Sequence, residues 1–358
     1  MKNDFIKLLK GLIILFFSFF IMIICIYNYE LSPVNGNKKY VTVTIEHGTP
    51  KTKIAKILEE KKLIRSATFF NIYLKLNKVD NLYASTYQLS PSMGTKKIVN
   101  ILKKGNNYNP NSVTLMFPEG INMRRVAKII SQNTNNKYED VLKKVNDKAY
   151  LQKQINKYWF LTNDILNSNI YYKLEGYLYP DTYEFKDKDV SIEEIFDKML
   201  EQTNNMLKDY KKDIDKSKYS YHQLLTIASM AENEGNEEYR AKITGVFYNR
   251  LAINMSLGSD VTTYYAFKIE MNERDLTTEE LNTYNPYNTR GPRMNGKIPV
   301  GPICNPDINS IKAALYPEKH KYYYFVADKH QKVYFSKTDS EHNATIGEIR
   351  RKGDWIEW

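Results

Sequence analysis

Cysteine is scarce: the 358 residues contain two, Cys25 and Cys304. That excludes a disulfide-stapled scaffold and any Cys-rich zinc or iron–sulfur site. Cys25 lies in an apolar run and Cys304 does not, so the two are not expected to pair. Histidine is nearly as sparse, five residues with no HExxH-type pair, which argues against a metal enzyme, and no metal or cofactor is expected. Nothing resembles a P-loop, an RRM aromatic pair or a helix-turn-helix, so nucleic-acid binding has no support. What the chain does have is 42% hydrophobic and 26% charged residues, which excludes both a disordered chain and a multi-span membrane protein. Its length suits two or three modules. The charge is one-sided: Lys+Arg 52 against Asp+Glu 41 gives +11, a surface that prefers anionic surroundings.

The one long apolar run is Gly11–Tyr27, GLIILFFSFFIMIICIY. With Leu8 and Leu9 added, and Lys10 snorkelling, it reaches the ~20 residues a membrane-spanning helix requires. Lys2, Lys7 and Lys10 precede it and Glu30 is the first charge after it, so the N-terminus is expected in the cytoplasm and the rest outside. Asn28-Tyr29-Glu30-Leu31 offers no small-x-small cleavage site, and Ile23-Ile24-Cys25 offers no lipoprotein site, so an uncleaved single-pass anchor is expected. Outside a bacterial membrane the positive charge would meet teichoic acids, anionic lipids and cell-wall glycans.

Residues 28–40, polar and containing Pro33 and Gly36, read as a linker. Beyond it the sequence repeats a pattern. Val41–Ile45 alternates like a half-buried strand, Gly48 turns, and Ile54, Ala55, Ile57 and Leu58 recur at helical spacing. The pattern returns with Val113–Phe117, Gly120, and Val126, Ala127, Ile129 and Ile130. Between them, Phe69–Leu76 and Thr95–Leu102 read as helices and Ser85–Leu89 as a strand, which makes a compact α+β module over 41–105. A larger α+β domain fills 109–358. Its segment Leu174–Phe185 packs aromatics around Gly176 and Pro180 and cannot be a regular helix. It is either a core-covering loop or a wall on which sugar faces stack.

His222–Ala231 carries apolar and small residues on every side, which marks a buried helix. It ends in Glu232-Asn-Glu-Gly235. A carboxylate at the end of a buried helix loses hydration and stays protonated near neutrality, as a general acid must. The plainer alternative is a solvent-facing Glu at a helix end. Glu234 points to the opposite side of a continuous helix and cannot be its twin. Downstream, Ser259–Thr263 and Tyr284–Thr289 gather hydroxyls and amides that either bind sugar hydroxyls or simply make caps and turns.

Several of these stretches together resemble the YceG/MltG-like endolytic murein transglycosylases. They are Glu175–Tyr183, Ala228–Gly235, Val246–Leu251, Ser259–Thr262, Tyr287–Thr289, Gly301–Ile303, Asn305-Pro306, Tyr324–Val326, Phe335-Ser336 and Glu341–Asn343. The resemblance covers nearly the whole region beyond the anchor, in order. It implies one membrane helix, a LysM-like module over 41–108, and a catalytic domain over 109–358. It places the catalytic acid on Glu232, and substrate contacts on Glu175, Tyr177, Tyr183, Asn249, Ser259, Asp260, Thr262, Asn288 and Thr289. Asn233, Gly235 and a longer basic loop, 290–300, depart from the family pattern. The reaction implied is cleavage of MurNAc–GlcNAc bonds in nascent glycan strands to give 1,6-anhydro ends, which terminates or trims elongation. One glutamate serves as acid and then base. The implied partners are glycan strands, the membrane, and peptidoglycan synthases of the elongation or division machinery. Two other readings stand beside it: a non-catalytic wall-binding scaffold, and a hydrolytic muramidase with Asp260 as its second carboxylate.

Overall fold

The computed structural model describes residues 2–105 and 111–355, with the backbone alone for 2–9 and 14. The chain divides into two compact units, Met1–Asn111 and Ser112–Trp358. The boundary expected at 108 lies outside the described residues.

The first unit begins with α1 (Lys2–Leu31), followed by β1 (Val41–Ile45), α2 (Lys51–Glu60), α3 (Ala67–Leu76), β2 (Ser85–Leu89) and α4 (Gly94–Lys104). Lys10–Leu31 is long and apolar enough to cross a membrane, and its large side chains are exposed from Leu12 to Ile26. The helix runs four residues past Tyr27 into the stretch read as linker. Leu31 is buried there, and Arg65 donates to Tyr29 Oη, Ser32 Oγ and the Pro33 carbonyl, so the segment is held rather than free. β1 and β2 pair antiparallel, Val41 opposite Leu89. Their alternate residues Val43, Ile45, Tyr87 and Leu89 meet Ile54, Leu58, Phe70, Ile98 and Leu102 of the helices in one core.

The second unit is largely helical. Its elements are β3 (Val113–Met116), α5 (Met123–Asn133), α6 (Tyr138–Lys144), α7 (Lys148–Lys157), β4 (Thr182–Phe185), α8 (Ile192–Leu207), α9 (Lys211–Lys216), α10 (Tyr221–Glu234), α11 (Glu237–Ala252), α12 (Asp260–Phe267), α13 (Thr278–Asn282), α14 (Ile308–Leu315), β5 (Tyr324–Ala327), β6 (Val333–Ser336) and α15 (Asp339–Arg351). β3 pairs antiparallel with β4, and β5 with β6. The strand–turn–helix echo is present in both units, with Gly48 and Gly120 in the left-handed region that each turn requires.

At the centre, α10, α11 and α14 pack against one another. Ser220 and Gln223 form a capping box that starts α10, and every residue from Leu224 to Ala231 is buried. Mixed small and large apolar side chains let neighbours approach from all sides, so α10 is the axis of the unit. Gly176 approaches it closely. A Cβ there would sit 2.5 Å from Pro302 Cβ, and φ is +84°, so only glycine fits.

Candidate active site

Glu232 lies in the last turn of α10, its side chain 5% exposed. Four groups surround its carboxylate. Arg240 Nη2, from the second turn of α11, donates to Oε1 at 2.7 Å. Ser310 Oγ donates to Oε2 at 2.7 Å, and the Asp307 backbone N–H to the same oxygen at 3.0 Å. Asp307 is the N-cap of α14, its Oδ1 taking the Ser310 N–H at 2.6 Å and Arg240 Nη1 at 3.0 Å. The fourth neighbour is the β3–α5 turn. A Cβ at Gly120 would lie 3.3 Å from Glu232 Cγ.

These surroundings pull in opposite directions. Burial raises the Glu232 pKa above the usual carboxylate value and outweighs the rest. The Ser310 hydroxyl and Asp307 N–H lower it, Asp307's charge raises it again, and Arg240 lowers it. The group can therefore hold a proton, yet it has three donors ready for the carboxylate that remains after the proton leaves.

A cavity of about 740 Å³ opens beside Glu232. Its walls include Glu232, Glu234, Asp260, Tyr264, Asp275 and Asp328. Burial alone would raise the Asp328 carboxyl; the Lys332 and His330 N–H groups and the Tyr334 hydroxyl more than offset this and hold it below its ordinary value. A larger cavity, about 1070 Å³, lies by Tyr219, His222 and Val300 at the other end of α10. Ten residues of helix, roughly 15 Å, separate it from Glu232, so it is no part of this site.

The other residues singled out in the sequence divide into two groups. Asp260 stands at the cavity rim and is paired with Arg290 of the basic loop, through Nε and, at 3.2 Å, Nη2. The remaining side chains are turned inward. Glu175 is 1% exposed, its Oε2 accepting from Met123 N at 3.0 Å and Tyr265 Oη at 2.9 Å. Burial pushes its pKa up to about 7. Tyr177 is buried, its hydroxyl 2.8 Å from His222 Nδ1, and the Tyr183 hydroxyl donates to the Tyr179 carbonyl at 2.7 Å. The aromatic segment is thus a core-covering loop. Asn249 donates to the His320 and Tyr322 carbonyls.

Ser259, Thr262, Asn288 and Thr289 form a buried network. Thr289 Oγ1 accepts from Ser259 N at 2.9 Å and lies 2.8 Å from Thr262 Oγ1, while Asn288 Oδ1 accepts from Thr263 Oγ1 at 2.7 Å. These groups tie the 288–290 turn to the start of α12, which brings Asp260 and Arg290 together at the rim. Ser259 occupies the N-cap position of α12 without a capping bond, because its hydroxyl donates to Glu234 instead. Burial pushes the Glu234 pKa up to about 7. As i and i+2 positions require, Glu234 faces away from Arg240 and Ser310.

Arg240, Asp307 and Ser310 had no sequence signal tying them to Glu232. Asp307-x-x-Ser310 is visible as a helix N-cap pattern, but nothing local says which carboxylate that N-terminus will face.

The YceG-like family matches residues 43–348. The endolytic murein transglycosylase of Bacillus subtilis (strain 168) is 36% identical over 317 residues, 87% of this chain and 86% of that protein. The endolytic murein transglycosylase of Streptococcus pneumoniae serotype 2 is 32% identical over 336 residues, 89% of this chain and 60% of that protein. A crystal structure of a yceG-like protein from Listeria monocytogenes superposes with a TM-score of 0.61 at 41% identity, covering 86% of this chain and all of that one. A family match that spans both units and relatives 32–36% identical over most of the chain lead to one assignment: the chain belongs to the YceG-like family.

Proposed function

We propose that this chain is a membrane-anchored endolytic peptidoglycan lytic transglycosylase, with Glu232 as its one acid–base group. The observation that carries the reading is the Glu232 environment: dehydrated enough to bind a proton, and supplied with Arg240, Ser310 and the Asp307 N–H to stabilise the anion. In the first half-reaction the Glu232 carboxylic acid protonates the glycosidic oxygen, and the bond from that oxygen to MurNAc C1 breaks. The acidic walls of the cavity stabilise the positive charge that develops at C1. In the second half-reaction the Glu232 carboxylate takes the proton from the C6 hydroxyl. The C6 oxygen then bonds to C1, closing the 1,6-anhydro ring and returning the proton to Glu232. No water enters, so a second carboxylate at hydrolase distance is unnecessary.

Asp260, held by Arg290, serves as a rim charge in this reading, and Ser259, Thr262, Asn288 and Thr289 position it from within. Glu175, Tyr177, Tyr183 and Asn249 act through the framework rather than by touching sugar. The first unit, an antiparallel pair covered by helices, is read as a LysM-like glycan-binding module, with α1 as the membrane anchor and the catalytic unit outside the cytoplasm.

The test is Glu232→Gln, which keeps size and polarity and removes the transferable proton. Turnover should fall ~10²–10⁴-fold while the melting temperature and glycan binding persist. Mass spectrometry of the wild-type products should find anhydro-muramyl ends. Reducing ends would establish hydrolysis instead, and intact strands a scaffold.

A further inference from the structure

A second cavity, about 640 Å³, adjoins the first and shares Glu234, Asp260 and Ala327 with it as common walls. Its character differs. Arg250, Arg290 and His342 line it, together with Tyr324, Phe325 and Trp355. Arg250 is the central feature. Its Nε donates to the Tyr323 carbonyl at 2.5 Å and its Nη1 to the Leu257 carbonyl at 2.7 Å, which fixes the guanidinium in place. Among the described residues it has no ion-pair partner, and Nη2 has no acceptor. The guanidinium carbon lies 5.2 Å from the Tyr324 ring centroid. The Tyr324 ring stacks on His342 at 5.4 Å, and the buried His342 Nδ1 has no partner among the described residues.

A partly buried guanidinium fixed by carbonyls and without an ion pair among the described residues is costly unless an anion completes it. Glu234 is close enough for its charge to favour the Arg250 cation, but no carboxylate among the described residues makes an ion pair with it. Asp260 is taken by Arg290, Glu234 accepts from Ser259, and Asp339 accepts from Asn343 at 2.8 Å. Those same three acids make the mouth unfavourable for a polyanion such as a pyrophosphate. One guanidinium with a planar fork, a flat aromatic floor and apolar sides suits a single carboxylate on a short peptide. The volume accommodates a few residues, in the usual range for ligand sites.

We infer that this cavity is a subsite for the peptide carried on the muramyl lactyl group of the substrate, with Arg250 binding a peptide carboxylate. The inference rests on the transglycosylase reading for its substrate and extends it to a recognition element beyond the sugar. Glu232 and Glu234 stand two residues apart on one helix, roughly 3 Å along its axis, and face opposite ways. A muramyl residue poised at Glu232 would therefore have its peptide within reach of the Arg250 side.

The test compares kcat/KM of the full-length protein on three glycan substrates: strands with intact stem peptides, strands whose peptide carboxylates are amidated, and strands stripped of peptide. The expected result is about a tenfold or greater preference for intact strands over both others, the strength of one charge-assisted hydrogen bond. In Arg250→Gln and in His342→Gln the ratio between substrates should shrink toward one, whatever the absolute rates. Equal use of all three substrates by the wild-type protein would overturn the inference. A binding measurement separates its failure from that of the catalytic reading. Calorimetry with a soluble muramyl tripeptide and the Glu232→Gln protein should show binding that weakens about tenfold when Arg250→Gln is added. No binding, binding indifferent to Arg250, or preference for inorganic pyrophosphate over the muramyl peptide would each overturn the subsite, even if strands are cleaved. If no strand is cleaved, the catalytic reading fails and calorimetry alone decides the subsite.

Discussion

At the scale of single residues, the tightest constraint beside Glu232 is a backbone one. Gly120 has φ +72°, and a Cβ added there meets both Glu232 Cγ and Asn233 Oδ1 at 3.3 Å. Gly120→Ala should therefore cost about 1–2 kcal/mol from the left-handed backbone alone, visible in urea unfolding. It should also displace the carboxylate, so turnover per folded molecule should fall by roughly tenfold or more. Unchanged turnover per folded molecule would show that the turn does not position the acid. For Glu232, a buried helix ending in Glu made two outcomes legible in the sequence, a dehydrated position and a solvent-facing side chain, and the resemblance rather than the helix singled out this residue. Its partners were not legible. Arg240, Asp307 and Ser310 become neighbours only when α11 and α14 close on α10, and no local pattern encodes that closure. Tyr177, Tyr183, Asn288 and Thr289 illustrate the converse limit: polar residue types suited to a sugar are equally suited to a buried hydrogen-bond network, and type alone does not say which.

At the scale of elements, two dehydrated carboxylates, one buried and one half-buried, join helices and set how stability responds to pH. Glu175 receives the first N–H of α5 and the Tyr265 hydroxyl of α12, while Glu234 on α10 receives the Ser259 hydroxyl. Both are pushed up to about 7, chiefly by burial, from an ordinary value of 4.5. The native state thus binds protons more tightly than the unfolded chain. Their contribution is fully present below pH 4.5 and is lost as pH rises through about 7. For Glu175, which is fully enclosed, the loss is on the order of 3 kcal/mol, and for the half-buried Glu234 less. Glu175→Gln keeps an acceptor for both donors and cannot ionise. Urea unfolding at a series of pH values should show a shallower decline for this variant than for the wild-type protein, and parallel curves would refute the assignment. The elements themselves were largely readable. β1 follows β-branched alternation, and α10 and α11 follow the spacing of their apolar residues. The end of α1 was misjudged because Leu31 is buried against its own unit, a tertiary contact that outlasts the apolar run.

At the scale of the whole molecule, each unit has a hydrophobic core of its own, one built on Val43, Leu58 and Phe70, the other on Phe196, Ile227 and Phe247. Glu232 and both cavities described around it belong to residues 112–358. A protein lacking residues 1–111 should cleave soluble glycan fragments at the full-length rate and release fewer products from intact sacculi. Equal release from sacculi would mean that the first unit serves some purpose other than holding the wall. The order of the active-site residues along the chain has a consequence for biosynthesis. Glu232 is 75 residues ahead of Asp307 and 78 ahead of Ser310. As the chain is made from its N-terminus, Glu232 is present well before the amide and hydroxyl that surround its carboxylate. A chain cut short before α14 would therefore keep the helix that carries the glutamate and lack the partners that set its proton affinity.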